Sequence, residues 1–112
     1  MKYQYYECGK GWESLILQAE SIVDKYNIEH PDEEPLEFTQ IKEKWGGLCL
    51  YLNKYIPEIQ IKMRELMERS WAICENCGTD KNVTREYTHG WVMTLCDKCR
   101  EEEINKYNQK FK

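Results

Sequence analysis

The sequence predicts an α+β protein, a small helix–β-hairpin–helix body followed by a C-terminal finger built on four cysteines. Three observations carry that prediction. Apolar residues recur in steps of three and four over two stretches, they change to alternation around a Gly-Gly pair between those stretches, and two C-x-x-C pairs stand near the C-terminus. On this reading the 112 residues divide into a body, 1–70, and a finger, 71–112. The second helix runs almost directly into Cys74, so finger and body should form one compact unit without a flexible linker.

Composition narrows the setting. An apolar share of 41% is enough for a core. Four Trp and eight Tyr are many for so short a chain. No apolar run approaches the ~20 residues of a membrane span, and the N-terminus lacks the apolar stretch of an export signal. Six cysteines without such a signal suggest a reducing cytoplasm and thiolates used as ligands. The formal charge of −4 disfavours partners held through phosphates.

The lead-in Met1–Gly11 is rich in tyrosine and ends in Cys8-Gly9-Lys10-Gly11-Trp12. That run lacks the G-x-x-x-x-G-K-[ST] spacing of a phosphate loop, and Cys8 reads as a small core filler. From Trp12 to about Tyr26, the positions Trp12, Leu15, Ile16, Ala19, Ile22, Val23 and Tyr26 form one wide helical stripe. His30-Pro31-Asp32-Glu33-Glu34-Pro35 is an acidic loop set by two prolines. Thr39, Ile41, Glu43 and Trp45 then alternate, as do Leu48, Leu50 and Leu52, so Gly46-Gly47 is expected as a primed two-residue turn of a β-hairpin. A short helix over Phe38–Lys44 is the competing reading. Pro57 opens a second helix whose inner side is Ile59, Met63, Leu66, Met67 and Ser70.

Cys74-Glu75-Asn76-Cys77 and Cys96-Asp97-Lys98-Cys99 are separated by eighteen residues. This spacing points to one tetrahedral four-thiolate site, and soft thiolates favour Zn²⁺. Two disulfides are the alternative use of the same residues. Gly78 closes the first knuckle, and the run Cys96–Lys112 reads as a helix whose N-terminal dipole faces the sulfurs. Knuckle, short strands, then helix is an order that resembles a treble-clef finger. Trp71 and Trp91 are the expected contacts between this finger and the helical layer of the body.

Three stretches carry a wider resemblance: Cys8-Gly9-Lys10-Gly11-Trp12 with Leu15-Ile16, then Gln40–Leu48, then Gly90–Cys99. Together they resemble small uncharacterised proteins of tailed bacteriophages and prophages. Lys10 and Cys49 depart from that pattern, which has Asp and often a basic residue there. The resemblance implies a phage accessory protein of the bacterial cytoplasm and implies no reaction.

Three function classes follow. Four sulfurs fill a tetrahedral zinc and leave no position for water, so the expected zinc is structural, one per chain. A zinc deaminase needs H-x-E before P-C-x-x-C, which neither His30 nor His89 provides. Leu95–Cys99 resembles the last zinc pair of HNH nucleases, yet Arg100 stands where they have histidine. No catalytic residue is expected, and His89 reads as a turn residue beside Gly90. A nucleic-acid module is the second class, with Lys81, Arg85, Lys98 and Arg100 along one side. Against it, the seven basic residues of 71–112 are matched by seven acidic ones. The third class, binding of a host protein of antiviral defence or transcription, is favoured, with Trp45, Trp91, Arg85, Lys98 and Arg100 as candidate contacts.

Overall fold

The computed structural model describes residues 6–110. The start of the tyrosine-rich lead-in and the last two residues of the expected C-terminal helix lie outside them. The architecture is α+β, as the periodicity predicts. In order come β1 (Tyr6–Glu7), a 3-10 turn (Lys10–Trp12), α1 (Glu13–Glu29), β2 (Phe38–Lys44), β3 (Gly47–Leu52), α2 (Pro57–Arg69), a second 3-10 turn (Ser70–Ala72), β4 (Val83–Thr88), β5 (Trp91–Cys96) and α3 (Asp97–Lys110).

α1 buries Leu15, Ile16, Ala19, Val23 and Tyr26, the face its spacing predicts, and continues to Glu29. Pro31 stops it there, because a residue before proline is pushed out of helical geometry. His30 occupies that position and folds back, its Nδ1 donating to the Tyr26 carbonyl at 2.9 Å while its ring stacks on Tyr26. A three-stranded sheet, order β1–β2–β3, pairs with these helices through Phe38, Ile41, Leu48 and Leu50. Phe38 and Ile41, three apart, both face inward because a bulge interrupts the β2–β3 register between Phe38 and Gln40. The outer face carries Lys42, with its ammonium over the Tyr51 ring. β1 joins β2 in parallel, a strand that periodicity alone does not reveal in two residues.

The hairpin turn lies one residue earlier than expected. Lys44 pairs with Gly47, so Trp45 and Gly46 are the central residues, at φ 54° and 74°. Gly47 serves packing instead: a Cβ there would lie 2.6 Å from Trp71 Nε1. This register sets Ile41 opposite Leu50, both buried.

The finger has its own small cluster of Cys74, Leu95, Cys96 and Cys99, with Val83 and Met93 against it. Of the two expected contacts with the body, Trp71 takes part and Trp91 does not. Trp91 is 69% exposed and takes no part in the seam. Instead, fully buried Trp12 donates from Nε1 to the Ile73 carbonyl at 2.9 Å. Trp71 does contribute, pressed on Gly47 and covered by the Arg85 guanidinium 4.8 Å from its ring centre. Beyond Arg100 the residues of α3 are almost all exposed. The chain is elongated, 58 × 25 × 18 Å with a radius of gyration of 16.0 Å, against about 13 Å for a compact chain of this length.

Candidate metal centre

The first knuckle begins where the 3-10 turn after α2 releases the chain. Gly78, at φ 84°, turns it back so that its N–H donates to the Cys74 carbonyl at 2.9 Å. The second pair lies at the junction of β5 and α3, where Cys99 N–H points at Cys96 Sγ at 3.4 Å. Cys77 N–H points likewise at Cys74 Sγ, and the Asn76 side-chain amide at Cys99 Sγ, each at 3.5 Å. The four sulfurs lie within 4.8 Å of one another, with Cys77 and Cys96 at 3.8 Å. A tetrahedron with arms of about 2.3 Å has edges of about 3.8 Å, so the cluster fits one ion and is compatible with zinc.

The protein tunes these thiols unequally. Burial pushes the Cys74 thiol up, yet the N–H groups of Cys77, Cys96 and Asn76 outweigh it and bring it to about 7. Cys99, raised by burial and crowded by the other thiols despite the Asn76 amide, rises to about 12. A divalent ion must displace protons from such a cluster, so its affinity falls as pH falls.

The surroundings explain the motifs that spacing alone leaves unassigned. Gly11 N–H donates to the Glu75 carbonyl at 3.0 Å, and a Cβ on Gly11 would lie 2.1 Å from the Cys74 carbonyl oxygen. Gly9 has the same role, with a Cβ only 2.2 Å from the Glu75 carbonyl oxygen. Across the knuckle, Glu75 and Thr94 exchange bonds: Glu75 N–H donates to Thr94 O at 2.9 Å and Thr94 N–H to Glu75 Oε2 at 3.0 Å. The buried Thr94 hydroxyl donates to the Gly46 carbonyl, and Arg85 Nε to the Trp45 carbonyl at 2.7 Å. Three stretches far apart in sequence, Cys8–Trp12, Trp45–Gly47 and Trp91–Cys96, therefore meet around Cys74-Glu75. Gly9, Gly11, Glu75 and Thr94 were missed as supports of the site. The C-G-x-G-W spacing was the available signal, since paired glycines before a helix often mark close backbone approach.

The candidate partner residues separate. Trp45, Trp91, Arg85 and Lys98 are exposed. Arg100 is not available to a partner, which corrects its assignment: it is buried beneath β4 and β5. Its guanidinium donates to the Thr88 hydroxyl and to the Thr84 carbonyl at 2.6 Å, while Nε faces Glu86 at 3.3 Å. An always-charged fork can serve several carbonyls at once, and here it fastens the finger hairpin to α3. His89 is a turn residue at φ 44°, as expected, but its ring is engaged. It stacks parallel on Tyr107 with centres 4.7 Å apart, and Nε2 lies 3.1 Å from Glu103. Cys8 packs at the core edge, and burial, with Glu75 and Glu43 nearby, pushes its thiol up to about 11. No helix among the described residues is long and apolar enough to cross a membrane. Comparison with protein-family models, curated proteins and solved structures gives no match.

Proposed function

We propose that this chain is a non-catalytic interaction protein in which one structural zinc staples the finger to the body. On this reading the hairpin tips of body and finger together present a tryptophan face to a partner protein. Trp45 carries the reading. It holds a left-handed φ of 54° at the tip of a two-residue turn, a position where Gly, Asn or Asp is cheaper by about 1–2 kcal/mol. Its side chain is 60% exposed and so recovers little of that cost in the core. An exposed aromatic held at a strained backbone position points to a role in binding. Four thiolates around zinc leave no open position for a reacting water, which suits a structural ion. The resemblance to phage proteins makes a host protein of the bacterial cytoplasm the proposed partner.

Paired affinity captures from host extract test this, one with the wild-type protein and one with Trp45→Gly. A host protein retained by the first and lost from the second, with folding intact, is the expected result. Identical captures would overturn the reading.

A further inference from the structure

Exposed aromatics continue well beyond Trp45. A groove of about 370 Å³ lies between the two hairpin tips, with Trp45, Tyr87 and Trp91 along it. Trp45 also borders a second groove of about 380 Å³ that reaches Trp71, and Trp91 borders a third, of about 280 Å³, that reaches Tyr107. Two shared tryptophans thus join the three grooves into one face.

The charge along this face differs from the rest of the molecule. Its cations are Arg64 and Arg85 at one end, Lys44 between that end and the central groove, and Lys106 and Lys110 at the other end. Its carboxylates are Glu43, Glu68 and Glu103. Five cations against three carboxylates leave eleven against seventeen for the remainder of the chain, so a positive face sits on an acidic protein. Groups on both sides of this balance are engaged: Glu43 accepts from Gly46 N–H at 2.8 Å, Glu103 faces His89, and Lys110 has an interaction of its own. Arg85 donates to the Trp45 carbonyl through Nε while its guanidinium lies over Trp71, and the two terminal nitrogens of its fork form a pair that can grip a carboxylate.

Resting on the protein-binding reading above, we infer that the partner is an acidic segment: an apolar or aromatic anchor, flanked on both sides by Asp or Glu. The anchor fills the central groove between Trp45 and Trp91, and the flanking carboxylates meet the two cationic ends. A single strand of nucleic acid shares the negative charge but fits less well. It would bring a phosphate with each stacked base, including beside Glu43 in the middle, where Lys44 is the one cation. Trp, Tyr and Arg are the residues that most often dominate protein interfaces, and all three are assembled here.

Selection of a random displayed-peptide library on the zinc-loaded full chain tests the inference. Enriched peptides should carry acidic flanks around an apolar centre. Their binding should weaken about tenfold or more with Arg85→Glu or Trp91→Ala and stay within about twofold with Lys25→Glu, an exposed residue of α1 that lines none of the three grooves. Neutral or basic peptides that still depend on Trp91 would overturn the acidic partner and leave the tryptophan face standing. Failure to enrich any peptide, or enrichment indifferent to Trp45→Gly and Trp91→Ala, would overturn both. Oligo-dT or oligo-rU binding more tightly than the best peptide, and lost with Trp91→Ala, would assign the face to single-stranded nucleic acid.

Discussion

At the scale of single residues, small changes at the seam should matter more than their chemistry suggests. A methyl on Gly11 has backbone on every side and no flexible side chain to displace. Gly11→Ala should therefore cost about 1–3 kcal/mol, read as a lowered melting temperature, and should loosen the metal in a chelator competition. Cys8 offers a different test. Its thiol is raised from 9.0 to about 11, so the folded state holds the proton that the unfolded state releases first. Stability tied to this group is fully present below pH 9 and is lost as pH rises from 9 to 11. Compared with Cys8→Ala, the wild-type protein should lose more stability over that interval. At pH 8, mass-spectrometric mapping should find Cys8 alkylated about a hundredfold more slowly than an unperturbed thiol, because two pH units separate their thiolate fractions.

At the scale of elements, the hairpin turn sets stability against function. Trp45→Gly relieves a left-handed tryptophan and adds some chain entropy to the unfolded state, two effects of about 1 kcal/mol and opposite sign. The melting temperature should hold steady or rise by a few degrees while partner binding is lost. A marked fall in stability would mean that Trp45 is a folding residue, and the functional argument drawn from it would fail. Gly47→Ala should behave in the opposite way, lowering stability because its Cβ meets the Trp71 indole. The turn expected at Gly46-Gly47 is observed at Trp45-Gly46, which leaves Gly47 on the first rung of β3, against Trp71. Alternation marks where a hairpin turns but not the rung at which it closes.

At the scale of the whole molecule, the metal should hold more than the finger. The finger cluster has one large aliphatic side chain fully inside, Leu95, beside Cys74, Cys96 and Cys99, with Val83 and Met93 only partly buried at its edge. Elemental analysis of protein prepared under reducing conditions should find one zinc per chain. Cys96→Ser, or removal of the metal by a chelator, should melt residues 74–110, since structural zinc sites contribute about 10–16 kcal/mol of apparent binding energy. The loss should spread to the body, because Trp12 and Gly11 bond directly to Ile73 and Glu75. Amide exchange at α1 should then quicken, and a body whose exchange stays unchanged would show that the seam couples nothing.

Local rules were enough to read the four clustered cysteines, the two amphipathic helices, the hairpin and the closing helix from the sequence. Each depends on spacing: two residues between cysteines, three or four between helical core positions, one between strand positions. What spacing cannot express is which distant stretches touch. Neither the support given to the knuckle by Gly9 and Gly11 nor the link from Thr94 to the body turn has a local signature. Arg100 followed the same logic: a basic residue after the last cysteine reads as surface until the finger hairpin folds over it and offers it carbonyls. The tryptophans make the point most plainly. Composition counted four of them, but only tertiary packing decided that Trp12 is sealed inside, Trp71 half-covers the seam, and Trp45 and Trp91 face solvent across one groove. Burial belongs to the meeting of surfaces, and a linear sequence records those surfaces one at a time.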